Sequence, residues 1–251
     1  MIGIIKAPEY VEYNWQAIVV FLATLVGLTK VGSAIAFRVP AFAHMRDLNR
    51  EADRTKLRRK PFREAVKRNN LAGLAVNVAF YVAVLPFFLS LDPRPVWRHA
   101  AEIFAVLMVY DFFYYLTHRF LFHGRPLRRI HALHHQVHHP TYIDALYVHP
   151  VETAIGLTLF LGTIPLIAVS IGGGSLSAFS MAIATLLFTQ LNQINHTFID
   201  LPRFPFRTLD RITSIHAAHH ADMNRGNFAT LTMIYDRIFG TLEEPISRST
   251  P

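Results

Sequence analysis

The chain of 251 residues contains no cysteine. This absence excludes disulfide bonds, thiolate metal ligands and cysteine nucleophiles, so any metal site must use nitrogen and oxygen ligands. Charge is also scarce, because only 17% of the residues are charged whereas 52% are hydrophobic. A mean hydropathy of +0.27 is too apolar for an ordinary soluble domain and indicates a membrane protein.

The formal net charge of +8 is a local feature, since lysine and arginine crowd into residues 46–68. No aromatic-interleaved or helix-turn-helix pattern accompanies this block, which argues against nucleic-acid binding. Two meanings stay open. The block is either a topology signal that also anchors the protein to anionic lipids, or a docking surface for an acidic electron donor.

Five apolar stretches have the length of about 20 residues that a helix needs to cross a bilayer. They cover residues 15–37, 71–91, 101–122, 151–171 and 176–196. The sequence predicts an all-α, integral-membrane bundle of four to five transmembrane segments, forming one domain over residues 1–251. Residues 123–150 and 197–251 are expected to form a histidine-rich helical cap. The last two stretches could instead form a hairpin that enters the membrane and returns.

The basic block follows the first stretch directly, so the positive-inside rule places it in the cytoplasm. Counting from there puts the turns at residues 92–95 and 172–175 outside and every histidine group on the cytoplasmic side. We therefore expect a multi-pass protein of a bacterial inner membrane or an endoplasmic-reticulum-type membrane, with a metal site on the cytoplasmic side.

Histidine is abundant, and twelve of the 14 histidines fall between His118 and His220. Two groups, at residues 131–135 and 216–220, have the form H-x-x-H-H. On a helix the three histidines of such a group share one face and can serve one or two metal ions. His118 and His123 are five residues apart, which an ideal helix splays, so we expect the helix to loosen near Gly124 or two ions to share this pair.

Nine or ten candidate ligands exceed the four that a single structural zinc ion takes, which favours two metal ions. Imidazole suits iron, copper, nickel and zinc alike, so the ligand type does not name the metal. A histidine-rich membrane metal transporter or metal-binding protein is the alternative. A transporter, however, would place its ligands along a path inside the spans, whereas these cluster at one end.

Over residues 110–241 the chain resembles the fatty-acid hydroxylase and sterol desaturase superfamily of integral-membrane diiron oxygenases. The shared features are Asp111 and Tyr114, the histidine groups at 118–123, 131–135 and 216–220, Pro140, H-P-V-E at 149–152, His196, N-F-A at 227–229 and D-R-I-F-G-T at 236–241. Two departures bear on substrate choice. His138 and His139 replace residues that are not usually histidine, and Phe228-Ala229 stands where Tyr-Gly is common.

The resemblance implies a set of metal ligands, namely His118, His123, His131, His134, His135, His149, His196, His216, His219 and His220. It implies two iron ions, which zinc could replace in purified protein. The expected reaction is O2-dependent hydroxylation or desaturation of an unactivated C–H bond in a lipid, whether sterol-like, fatty-acyl or another hydrophobic molecule.

No dinucleotide-binding fingerprint appears, so electrons from NAD(P)H would arrive through a separate reductase with a ferredoxin or b-type cytochrome. Asp111 is expected to accept a hydrogen bond from a ligand imidazole and so fix its tautomer. Glu152 either does the same or stabilises the beginning of a helix through its charge.

Overall fold

The computed structural model describes residues 12–170, 174–201 and 203–245. Its helices are α1 (Trp15–Ala36), α2 (Pro40–Arg58), α3 (Lys60–Ala83), α4 (Val96–Leu116), α5 (Arg128–His131), α6 (Pro150–Ser170), α7 (Ala178–His196), α8 (Arg207–Ala221) and α9 (Ile234–Ile238). A π-helical turn (Thr117–Phe122) continues α4, and 3-10 turns lie at Leu85–Phe87, His134–Gln136 and Tyr142–Leu146. Strands β1 (Leu89–Ser90) and β2 (Leu176–Ser177) pair in parallel.

Four helical stretches are long and apolar enough to cross a membrane, namely Trp15–Ala36, Lys60–Phe87, Val96–Phe122 and Pro150–Ser170. Their outer faces carry aliphatic side chains that stay open to the surroundings. Val31, Leu74 and Val78, for example, are between 50% and 60% exposed. A soluble protein rarely exposes so broad an apolar surface to water. In a membrane protein this surface is in contact with lipid tails. The predicted all-α membrane bundle is confirmed.

The fifth predicted segment does form a helix, α7, but α7 lies inside the bundle and is not among those four. It packs against α1 and α4. Met181, Ala182, Thr185 and Phe188 are buried along its length. Polar residues near its end lower its hydropathy, and the surrounding helices shield it from lipid. The helix α7 therefore forms part of the core of the bundle, between α1 and α4.

The end of the bundle away from the histidines brings together the two turns that were predicted to lie outside. The guanidinium of Arg94 donates to the carbonyl oxygen of Ser175 (3.1 Å) and to Oγ of Ser90 (2.8 Å), and it pairs with buried Glu102. Gly172 and Gly173 lie outside the described residues. The two turns therefore share one end, as the predicted topology requires.

The second predicted span begins earlier than its apolar stretch, because α3 starts at Lys60 and not near residue 71. Pro61 lies in its first turn, where the missing N–H has no helical partner to lose. The basic residues that follow are good helix formers, so the polar turns and the apolar turns make one continuous helix.

Candidate metal centre

Nine of the ten predicted ligands form two clusters, within each of which one ligand atom per residue lies within 4.8 Å of all the others. Site 1 consists of His118, His123, His131, His135 and His219, and site 2 consists of His134, His196, His216 and His220. His149 belongs to neither cluster. Its Nδ1 accepts a hydrogen bond from the backbone N–H of Val151 (3.2 Å) at the start of α6.

The π-helical turn explains how two histidines five residues apart reach the same site. The N–H of His123 donates to the carbonyl oxygen of His118 (2.9 Å), which is the i→i+5 bond of a π-helix. This turn brings both side chains to site 1. It also needs Gly124, because a Cβ at that position would lie 1.8 Å from the carbonyl oxygen of Phe120.

The two H-x-x-H-H groups differ in local structure. The group at 216–220 lies on α8, as expected. The expectation of one helical face for residues 131–135 is wrong, because α5 ends at His131 and a 3-10 turn carries His134 and His135. Each group is divided between the sites, since site 1 takes His135 and site 2 takes His134. Consecutive side chains point in different directions, so neighbouring residues can serve neighbouring sites.

Most of the ligand rings are oriented by a hydrogen bond at Nδ1, on the side of the ring that faces away from the site. Six of them donate to backbone carbonyl oxygens at 2.6–3.4 Å, namely His118 to Phe228, His123 to Met223, His134 to Tyr147, His196 to Asn192, His219 to Gly226 and His220 to Val137. A carbonyl oxygen can only accept, so Nδ1 carries the proton in these rings and Nε2 keeps a lone pair.

The Nε2 atoms face one another within each site. His131 lies 3.0 Å from both His118 and His135 in site 1, and His196 lies 3.0 Å from His134 in site 2, measured between Nε2 atoms. Two Nε2 lone pairs repel each other and cannot form a hydrogen bond. A cation between them is attracted to all of them, so this donor set fits metal ions at both sites.

Burial keeps these imidazoles neutral, which is the form that binds metal. It lowers the pKa of His123 to about 4 and that of His219 to about 3, because a charged imidazolium is poorly solvated there. The same cause lowers the pKa of His131 and His135 further. At neutral pH the ligands of site 1 that lie outside the spans are therefore ready to coordinate an ion.

Glu152 is one of the two predicted carboxylates, and it contacts a ligand. Its Oε1 accepts from Nδ1 of His131 (2.8 Å), and both side chains are almost fully buried. The pair orients the ring whose Nε2 lies at the centre of site 1. The sequence left two roles open for Glu152, and this contact is the one in which it accepts a hydrogen bond from a ligand imidazole.

Asp111 does not make the expected imidazole contact. Its two oxygens accept from the backbone N–H groups of Thr230, Leu231 and Thr232 (3.0–3.2 Å) and from Oγ1 of Thr232 (2.7 Å). This fully buried carboxylate thus fixes the backbone that follows Phe228, whose carbonyl oxygen holds His118. Asp111 acts on the ligands through the main chain.

A second aspartate, which the sequence did not single out for a role, holds the same segment. Asp236 accepts from the N–H groups of Phe228 and Ala229 (2.8 Å each). Gly226 lies just before them, where a Cβ would be 2.0 Å from the carbonyl oxygen of Thr241. Residues 223–228, whose carbonyl oxygens hold His118, His123 and His219, are therefore fixed by buried carboxylates and a close backbone approach.

The inward face of α2 contains polar side chains that sequence reasoning missed inside the basic block. Asn49 accepts from the N–H groups of Phe198 (2.9 Å) and Tyr142 (3.3 Å) and donates to the carbonyl oxygen of Phe198 (2.8 Å). Asp53 accepts from Oγ1 of Thr141 (2.8 Å). The signal was their helical spacing, because Met45, Asn49 and Asp53 recur every four residues and are all buried. These contacts hold the segments next to the site 2 ligands.

A cavity of about 160 Å³ borders both sites. It is lined by His118 and His131 of site 1, by His134, His196 and His216 of site 2, and by Tyr110, Tyr114, Leu157 and Phe188 from the bundle. Imidazoles of both sites and apolar side chains of the bundle therefore line one space.

Together, the fold and the site define a helical membrane protein with two adjoining all-histidine clusters, each of which could hold a metal ion. The sequence profile of the fatty acid hydroxylase family matches residues 103–241, and the chain belongs to this family, as its motifs predicted.

The chain also resembles three named proteins over part of its length. Protein CER1-like 2 of Arabidopsis thaliana is 32% identical over 160 residues, which is 60% of this chain and 25% of that protein. Methylsterol monooxygenase 1 of Rattus norvegicus is 31% identical over 154 residues, covering 60% and 50% of the two chains. Ornithine lipid hydroxylase OlsE of Rhizobium tropici is 27% identical over 152 residues, covering 59% and 44%. The match thus spans half or less of each relative, and no solved structure matches the chain.

Proposed function

We propose that the protein is a membrane-bound, non-haem diiron oxygenase. It would hydroxylate or desaturate an unactivated C–H bond of a lipid with O2 and two electrons from a separate redox partner. The observation that carries this proposal is the pair of adjoining all-imidazole sites that border one partly apolar cavity.

Two iron ions would be held by the nine histidines of sites 1 and 2. Bound iron supplies the O2 chemistry that side chains alone lack, and the protein supplies position and surroundings. Hydroxylation inserts one oxygen atom into the C–H bond, and the other oxygen atom leaves as water with two electrons and two protons. Desaturation consumes the same O2 and electrons but removes two hydrogen atoms and releases two waters.

The residues of this chain perform the other tasks. Glu152 and six backbone carbonyl oxygens accept from Nδ1 of seven of the nine rings, which fixes the tautomer of those rings so that Nε2 is free to bind. Leu157, Phe188 and Tyr114 give the cavity apolar walls, which suit a hydrocarbon and limit the entry of water. A lipid would reach it from the surrounding membrane.

Two relatives support a lipid substrate, because one is named a methylsterol monooxygenase and the other an ornithine lipid hydroxylase. We propose the predicted topology as well, with the histidine end on the cytoplasmic side of a bacterial inner membrane or an endoplasmic-reticulum-type membrane. There a reductase with a ferredoxin or b-type cytochrome could supply electrons from NAD(P)H. The alternative of a transporter is disfavoured, because the ligands gather at one end of the bundle and do not line a path through it.

The test is to load the detergent-purified protein with iron and supply O2, a reductant and extracted membrane lipids. We expect about two iron ions per chain, as two four- to five-ligand sites imply, and oxidised lipid only when O2 and reductant are both present. His134→Ala should remove product and lower the iron content, whereas His44→Ala, an exposed histidine on α2 outside both sites, should change neither. Product that forms without iron would contradict the proposal.

A further inference from the structure

A short basic segment outside the block at 46–68 lies directly beside site 1. Arg125, Arg128 and Arg129 are all exposed, and they follow the π-helical turn at the histidine end of the bundle. No ion pair joins any of them to an acidic residue within the described ranges. We call these three residues the arginine surface.

The arginine surface is connected to two ligands of site 1. The guanidinium of Arg128 donates to the carbonyl oxygen of His123 (3.1 Å) and to Oδ1 of Asn224 (2.7 Å). Arg128 and Arg129 also begin α5, the one-turn helix that ends at the ligand His131. A molecule bound to these arginines would therefore sit within a few covalent and hydrogen bonds of the metal centre.

The basic block at 46–68 lacks this connection. The inward face of α2 contacts Tyr142 and Phe198, neither of which is a ligand. Arg50 and Arg54 are exposed on the same helix. Arg50 and Arg54 carry the same charge as Arg125 and Arg129, but no hydrogen bond of α2 reaches a histidine of site 1 in the part of the chain that the structure describes.

We propose that the arginine surface is the docking site of an acidic, one-electron carrier protein that serves site 1. This inference rests on the proposed function, because only a redox centre needs such a partner. Each docked carrier loses one electron, so two encounters supply the two electrons of the reaction. Exposed positive charges speed the encounter with a negatively charged protein, and salt screens the attraction.

Binding can be measured without turnover. The probe is an acidic plant-type [2Fe–2S] ferredoxin, titrated against the full-length, zinc-loaded protein in detergent at low and at physiological salt. Arg125→Glu/Arg129→Glu should weaken binding at low salt by about tenfold or more, and salt should weaken wild-type binding in the same direction. The matched control Arg50→Glu/Arg54→Glu, with the same change of charge, should stay within about twofold.

A second measurement uses the iron-loaded protein. Ferredoxin should reduce the Arg125→Glu/Arg129→Glu variant about tenfold more slowly than the wild type, whereas dithionite, a small reductant that needs no docking surface, should reduce both at the same rate. Equal iron content in the two proteins excludes misfolding as the cause.

Several results would overturn the proposal. These are wild-type binding that is undetectable or independent of salt, a double variant that binds like the wild type, and an equal loss in the control. Retained ferredoxin binding with lost binding to phosphatidylglycerol vesicles would assign the arginine surface to lipid headgroups instead. Failure of the proposed function is distinguishable, because it appears as absent lipid oxidation with dithionite as reductant.

Discussion

Removing the carboxylate behind His131 tests whether orientation of this ring governs site 1. Nε2 of His131 lies 3.0–3.1 Å from Nε2 of His118, His123 and His135, so His131 is the central ligand. Glu152→Ala deletes the acceptor of its Nδ1–H and frees the ring to rotate or to change tautomer. Loss of such a partner typically lowers metal affinity 10–100-fold, which is about 1.4–2.7 kcal/mol.

Glu152→Gln should fall between the wild type and Glu152→Ala, because an amide oxygen still accepts from Nδ1–H but carries no charge. The assay is competition for zinc between the purified protein and a chelating dye, which resolves the affinities of the two sites. Glu102→Gln is the matched control, because Glu102 is an equally buried glutamate at the opposite end of the bundle. It should lower stability and leave zinc affinity unchanged. Unchanged affinity in Glu152→Ala, or an equal loss in the control, would refute the reasoning.

Three further outcomes are expected. Asp111→Asn leaves one oxygen to accept from the backbone N–H groups of residues 230–232, and it should lower the free energy of unfolding by about 2–4 kcal/mol in denaturant titrations. A loss below about 0.5 kcal/mol, which is the ordinary scale of surface substitutions, would contradict this role. Asn49→Ala should lower the melting temperature and the metal content of site 2, whereas Arg50→Ala on the outer face of α2 should do neither. Equal effects of the two substitutions would contradict the role of Asn49 in holding the segments next to site 2. Burial lowers the pKa of His123 to about 4 and that of His219 to about 3, and the unfolded chain titrates near 6.5. The free energy of unfolding and the amount of bound metal should therefore be constant above about pH 6.5 and fall as the pH drops towards 4, because the unfolded chain takes up protons first. Thermal scans measure this dependence, and a melting temperature that rises on acidification would contradict the expectation.

Asp111 and Glu152 have different partners in the structure, and the sequence did not predict this difference. Both carboxylates precede or follow histidine motifs, and both lie in apolar helices, so the sequence predicted similar roles for them. In the structure Glu152 meets an imidazole, whereas Asp111 meets three backbone N–H groups from a segment about 120 residues away along the chain. A pairing of this kind depends on how α4 packs against the C-terminal segment.

The polar face of α2 is a similar case. Its positive charge was visible and suggested lipids or a partner, but Asn49 and Asp53 point the other way, into the protein. Amide and carboxylate side chains on a charged helix are ordinarily exposed to solvent, so only their four-residue spacing with Met45 marks them as members of a buried face.

The sequence by itself determined the helical membrane bundle, because hydropathy and length decide which stretches can lie in lipid. It also predicted ten imidazoles as metal ligands, because their spacing repeats the pattern of a known family, and nine of the ten come together in the structure. Only the tertiary structure decided that each H-x-x-H-H group is divided between two sites, that a π-helical turn brings His118 and His123 to the same site, and which groups accept from Nδ1 of most of the rings. Those features arise from contacts between segments far apart in the chain, and local sequence patterns do not encode such contacts.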